Sequence, residues 1–319
     1  MGRKQVEVSQ MLAQAEAERR YCYGADDGQR RALTRKKESG LLTSPYRNVY
    51  ARAEYVSTLD PIERNRHLIR TLARKHPNWD FAGPSAAVML GLEHGWLMHH
   101  DESVFIATKN STVAESDRHL HRIYIPYVHR WKVGNVSVTD PSRTLVDCAL
   151  LFPFSQTLAL FDSAARQRLL VTAEIERICS ALHTDTLAVP KLLRYDDGAS
   201  ENGGESFCRA LIIEAGFAIP ELQHEFVDPA DGSRYRTDFL WHTTDGRTVV
   251  LEYDGLQKYV DPGMTHGHGG WRVVNEERRH ESALKRAGVT DIIRISSREV
   301  NTPGLLSARL TRAGVPKLR

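Results

Sequence analysis

The sequence has few cysteines and no arrangement of them that chemistry could use. Cys22, Cys148, Cys179 and Cys208 lie far apart, and none forms a C-x-x-C pair. That argues against a zinc ribbon or a disulfide framework and fits a reducing cytosol. No apolar run approaches the ~20 residues of a membrane span. The opening residues, MGRKQVEVSQ, lack the apolar stretch of a secretory signal. The expectation is a cytoplasmic protein without a membrane partner. Excess charge is missing as well. A net +3 over 319 residues does not argue for nucleic acid by itself, so any basic surface must be local. There is no internal repeat and no long low-complexity segment.

What is present is an ordinary globular composition, 41 % hydrophobic and 26 % charged, in a chain long enough for two or three domains with cores of their own. The clearest break is RYDDGASENGG, Arg194 to Gly204, which is polar, glycine-rich and without periodicity. It divides the chain into an N-terminal segment (1–56), a middle α+β domain (57–193), a linker (194–204) and a C-terminal domain (205–319). The expected class is a multidomain α+β protein.

The N-terminal segment reads as a helix capped by Ser9, then a second helix in GQRRALTRKKESG closed by Gly40. LLTSPYRNVYAR follows as a hairpin with a Ser-Pro turn and an Arg-Asn turn. Helix, helix, hairpin is the order of a winged helix-turn-helix. The second helix carries Arg30, Arg31, Arg35, Lys36 and Lys37. In such a fold it would enter the major groove, with Arg47 and Arg52 of the hairpin on phosphate. The alternative is a solvated charged helix. Further on, Asp60-Pro61 and Asp140-Pro141 are strong helix starts. SVFIATK, HRIYIPY and NVSVTD read as strands. Nothing in this middle region looks like a nucleophile or a phosphate loop.

Beyond the linker the pattern is α-β-β-β-α-β. The stretch VVLEYDGLQKY, Val249 to Tyr259, drives an apolar strand into Glu252 and Asp254. Two residues apart on a strand, both acids point to one face. The Asp245-Gly246 hairpin brings that strand beside the one carrying Asp238, and Glu205 lies in the first turn of the preceding helix. Clustered carboxylates repel one another unless a cation neutralises them. Mg²⁺ or Mn²⁺ with oxygen ligands from Asp238, Glu252 and Asp254 is the natural solution. Such an ion activates water and stabilises the charge of phosphoryl transfer. Lys258 would assist the attacking water or neutralise phosphate. Each residue also has a structural alternative: a helix N-terminal acid, a strand-face ion pair, a turn aspartate, a surface lysine. Glu277, Arg278 and Arg279 read mainly as a solvated helix face. His99 and His100, and likewise His266 and His268, read as loop residues without a tetrahedral ligand set. Arg143 and Asp147, at i,i+4 spacing, read as a salt bridge.

RTDF (Arg236–Phe239), EYDG (Glu252–Gly255), Lys258, EERRHESALKRAG and DIIRI together resemble the PD-(D/E)xK nuclease superfamily, and within it the DUF559 and very-short-patch-repair-like branch, over about residues 203–298. The resemblance implies a restriction-endonuclease-like domain with Glu205, Asp238, Glu252, Asp254 and Lys258 as its catalytic set. One departure stands out. The superfamily's lysine usually follows the second acid by two residues, and here that position is Asp254. SGLLTSPYRNVYAR, FAGPSAAVMLGL and VTDPSRTLVDCALLFPFSQTLALFDSAAR resemble the AbiEi-type antitoxin family over about residues 9–170. In such proteins the wing domain binds promoter DNA. Two functions follow. One is a metal-dependent DNA endonuclease guided by the N-terminal domain, in phage defence or DNA repair. The other is a DNA-binding regulator or antitoxin whose nuclease fold is inert and serves dimerisation or DNA grip. The partners implied are DNA, a second copy of the chain, and a cognate toxin or defence-system protein.

Overall fold

Apolar residues at helical spacing set the first element. In the structure, a computed structural model that describes residues 3–99, 101–110, 119–255 and 269–318, α1 runs from Arg3 to Ala17. Val8, Leu12 and Ala15 are its buried stripe. That stripe starts upstream of Ser9, so Ser9 lies inside the helix and does not cap it. α2 (Asp27–Glu38) is capped by Asp26, which accepts from the Gln29 amide at 2.8 Å. β1 (Leu42–Tyr46) and β2 (Val49–Arg52) pair antiparallel. Ser44 and Pro45 form no turn. They sit within β1 at a register irregularity, where proline's missing N–H does least harm. The turn is Arg47-Asn48, with Asn48 at φ 55, a conformation asparagine tolerates. Val8, Leu12, Leu33, Leu42 and Tyr50 share one small core.

α3 (Ala53–Ser57), α4 (Pro61–Lys75) and α5 (Gly83–Leu90) come next. Asp60 caps α4 by accepting from the Glu63 amide at 2.8 Å. β3 (Val104–Thr108) pairs in parallel with β4 (Leu120–Tyr124), and β5 (Arg130–Val133) antiparallel with β6 (Val136–Thr139). Phe81 bridges to Ile106 and to Val138. α6 (Pro141–Leu151), capped by Asp140, precedes α7 (Phe154–Arg166), α8 (Thr172–Ala181) and α9 (Ala188–Tyr195). Sequence patterning missed β5, which is exposed along most of its length and carries no apolar alternation. It also missed α9, where Pro190 reads as a breaker although a first-turn proline is tolerated.

The chain forms two units, residues 1–153 with 168–194, and residues 154–167 with 195–319. α7 thus leaves the middle region to which its sequence position assigns it. In the second unit it packs on α10 (Gly203–Glu214). Arg209 of α10 bonds Asp162 of α7 at 2.6 Å, with side chains 3 % and 0 % exposed. Asp162 also accepts from the Asp197 amide at 2.9 Å, and Arg166 donates to the Ser200 carbonyl. The glycine-rich stretch before α10 is therefore tied to α7 at two points, Asp197 and Ser200.

After α10 come β7 (Glu221–Val227), β8 (Arg234–His242), β9 (Thr248–Asp254), α11 (Gly269–Arg286), β10 (Asp291–Ser296), α12 (Ser297–Val300) and α13 (Leu305–Arg312). The strand order is β10-β9-β8-β7, antiparallel except for the parallel β10–β9 pair. Period-two alternation sends Phe239, Trp241, Val249, Leu251 and Ile295 into one core with Cys208, Ile212 and Leu310. Leu240 and Val250 go to the opposite face, against Phe226 and Leu284. The observed class is mixed α+β. Among the described residues no helix is long and apolar enough to cross a membrane.

The buried ion pair yields a stability test. Asp162→Ala strands the Arg209 guanidinium and is expected to lower stability by about 3–5 kcal/mol. Asp162→Leu combined with Arg209→Met, which removes both charges, should recover most of that loss in urea unfolding.

Candidate active site

The acids stand where two strands part. β8 and β9 pair from His242↔Thr248 to Phe239↔Leu251, and the ladder stops there. β9 continues beside β10 as far as Asp254↔Ser296. The Asp238 carboxylate fills the gap, accepting from the Tyr253 amide at 2.8 Å. Arg234 bonds Glu225, and Arg236 bonds Glu201. By strand parity Glu252 and Asp254 share the face of Val250, over which α11 packs. There Glu252 Oε1 meets His280 Nε2 at 2.7 Å.

Glu205 arrives from α10 and is 5 % exposed. Asn202 caps that helix, its side-chain oxygen accepting from the Gly204 and Glu205 amides. Its amide nitrogen donates to Glu205 Oε1 at 2.5 Å, while the Glu201 amide and Gln223 Nε2 donate to Oε2 at 2.9 and 3.1 Å. Burial first, and the nearby Asp238 second, push the Glu205 carboxyl up to about 7; the donors oppose that rise without cancelling it. Gly204 permits the approach. A Cβ there would lie 2.4 Å from the Tyr253 ring, so any side chain would displace the ring or the start of α10.

Glu205, Asp238, Glu252 and Asp254 line one cavity of about 500 Å³, together with Glu201, Arg236, Glu276, Glu277, His280 and Arg294. Four of the five sequence-predicted catalytic residues are thus brought together. The fifth, Lys258, lies outside the described residues, as do His266, His268 and His100. Arg294 bonds Glu277 at 3.4 Å, so Glu277 belongs to the cavity wall rather than to a purely solvated face.

Among the described residues no three His, Cys, Asp or Glu side chains converge closely enough to hold one ion. Asp238 and Glu252 instead present a pair of oxygen donors. Magnesium is commonly held by one or two carboxylates, with water and substrate phosphate completing its shell. Asp254 lines the same cavity.

Two residues at the site escaped sequence reasoning. Gln223 sits within β7 at φ 54, a strained conformation for a non-glycine residue. The β7–β8 register aligns it with Asp238. Nothing in ELQHEFV announces this. His280 was legible in part, since its spacing from the buried Ala283 and Leu284 sets it on the inward face of α11.

In the N-terminal unit, α2 buries only Leu33 and leaves Arg30, Arg31, Arg35 and Lys37 exposed, with Lys36 half-buried. Arg30 bonds Asp27 and the carbonyls of Gly24 and Ala25, and Arg31 bonds the Asp27 carbonyl. These two brace the start of α2, while Arg35, Lys36 and Lys37 stand in its last turn, where cations also favour the helix dipole. Arg47 is exposed at the hairpin tip. Arg52 is paired with Glu16 at 2.5 Å.

Two other readings resolve. Arg143 and Asp147 form the expected salt bridge at 2.8 Å. His99 is no loop residue: it is 2 % exposed and bonded through Nε2 to the buried His94 at 2.6 Å.

No family model matches the chain, and no solved structure does. Two curated proteins are similar over 183 residues at 27 % identity: "Uncharacterized protein MT2308" of Mycobacterium tuberculosis strain CDC 1551 / Oshkosh and "Uncharacterized protein Rv2248" of strain ATCC 25618 / H37Rv. The match covers 57 % of this chain and 63 % of each relative, so the chain spans less than two thirds of the length of the relatives it matches.

Glu205 makes stability depend on pH. Its folded pKa of about 7 lies above the ordinary 4.5, so between those values the folded chain holds a proton that the unfolded chain has released. Stability should therefore fall as pH rises from about 4.5 to about 7, by on the order of 3 kcal/mol. Urea unfolding at pH 5 and pH 8 should show that slope in the wild type and its loss in Glu205→Gln.

Proposed function

We propose that the chain is a metal-dependent DNA endonuclease that hydrolyses phosphodiester bonds, with its helix-helix-hairpin segment as the DNA-binding module, in phage defence or DNA repair. One observation carries the reading. The α-β-β-β-α-β unit gathers Glu205, Asp238, Glu252 and Asp254 around one cavity with Arg236 and Arg294 at its wall. An acid-lined cavity beside arginines suits a bound cation and a phosphate together.

In this reading Asp238 and Glu252 hold Mg²⁺ or Mn²⁺, and Asp254 completes or orients the shell. The bound ion supplies an activated water and neutralises charge developing on phosphorus. Glu205, held by Asn202, Gln223 and the Glu201 amide, is a buried proton acceptor near neutral pH. Lys258 follows the second acid on the chain and would assist the water. Arg236 and Arg294 can exchange their glutamate partners for phosphate oxygens.

The test uses purified protein with plasmid, single-stranded DNA and RNA, in Mg²⁺, Mn²⁺ or EDTA. Cleavage should need the metal and fall at least ~100-fold in Glu252→Ala. Equal inertness of both proteins on every substrate would remove the nuclease reading, and RNA cleavage alone would redirect it to an RNase.

A second reading has its own support. Glu205, Asp238 and Glu252 each already accept a hydrogen bond within the protein, and Asp254 occupies the lysine slot. Such a site fits a DNA-binding regulator or antitoxin with an inert nuclease fold, acting as a dimer or with a cognate toxin. Gel shifts separate the binding role from catalysis. Replacing Arg35, Lys36 and Lys37 by Ala should reduce the salt slope of DNA binding by roughly 2–3, whereas Glu252→Ala should leave binding intact.

A further inference from the structure

We propose that His280 is a positioning residue for Glu252; this rests on the nuclease reading. The two side chains come from elements far apart in the chain. His280 Nε2 lies 2.7 Å from Glu252 Oε1, and with a carboxylate as partner the imidazole N–H donates. The Tyr235 ring packs against His280, edge to face at 5.3 Å and 88°. The pair is partly accessible, with side chains 24 % and 18 % exposed, and both residues line the acid cavity. Contact with the cavity sets it apart from a bond made only to satisfy a buried group.

The consequence is geometric. A glutamate carboxylate swings about three side-chain torsions. A hydrogen bond to Oε1 fixes the rotamer and leaves Oε2 for a cation or a bound water. Partners of this kind orient metal-ligating side chains, and their loss commonly costs 10–100-fold in metal affinity or activity. The arginines at the cavity wall are engaged elsewhere, Arg236 with Glu201 and Arg294 with Glu277.

The experiment measures Mn²⁺ binding by calorimetry and plasmid cleavage for the full chain, His280→Leu, His280→Gln and Glu252→Gln, with thermal melts to verify folding. Gln places an amide N–H near the Nε2 position, while Leu keeps the bulk and removes the donor. His280→Leu should weaken Mn²⁺ binding about 10–100-fold and lower kcat with KM for DNA unchanged. His280→Gln should recover most of both. Wild-type behaviour of His280→Leu, with Mn²⁺ binding lost in Glu252→Gln, would overturn the positioning role alone. Equal impairment of the Leu and Gln variants would also overturn it, because packing would then be the cause. A wild-type chain that takes up no Mn²⁺ would overturn the nuclease reading and this proposal with it.

Discussion

The C-terminal unit depends on one interruption of a β-ladder. Where β8 and β9 separate, the Tyr253 amide would be left without a strand partner on that side, and the Asp238 carboxylate takes the place of the missing carbonyl. A side chain thus closes what the backbone opens. The separation makes the cavity and turns Asp238 toward it. It also leaves Glu252 and Asp254 on a strand still anchored by β10. Had the ladder continued, Asp238 and Glu252 would face each other as like charges on one sheet face, an arrangement that destabilises a strand pair.

The same unit shows how a polar site is kept rigid. Glu205 is held by three N–H donors, and the helix that carries it is anchored by the buried Asp162–Arg209 pair. Buried pairs of this sort add little net stability, because desolvation offsets the attraction. They do penalise every arrangement in which the charges separate. The pair therefore defines where α10 lies against α7 and, through the amides of the preceding loop, where Glu201 and Asn202 meet Glu205. Gly204 completes the constraint by letting the Tyr253 ring close on the helix.

Much of this was legible in the sequence, for physical reasons. The Asp-Pro starts of α4 and α6 are local capping chemistry and need no tertiary context. The alternation in TDFLW and TVVLEYD records a sheet covered on both faces, and the Asp245-Gly246 turn, with Gly246 at φ 85, announces the β8–β9 hairpin. Misreadings fell where local signals compete. Ser9 looks like a cap but lies inside a helix whose apolar stripe begins earlier. Ser44-Pro45 looks like a turn but lies within β1 at a register irregularity. β5 has almost no buried face to leave a pattern, and α7 belongs with the second unit through a contact to Arg209 that no local pattern encodes.

The sequence by itself determined the α-β-β-β-α-β order of the C-terminal unit and the grouping of Asp238, Glu252 and Asp254, because period-two alternation and a short hairpin allow few other outcomes. Only the tertiary structure decided which partners those acids have. Gln223 reaches Glu205 because β7 carries a strained residue opposite Asp238. His280 reaches Glu252 because α11 packs across the sheet face that strand parity selects. Both contacts join segments distant in the chain, and such contacts depend on how helices pack against a sheet, which spacing along the sequence does not specify.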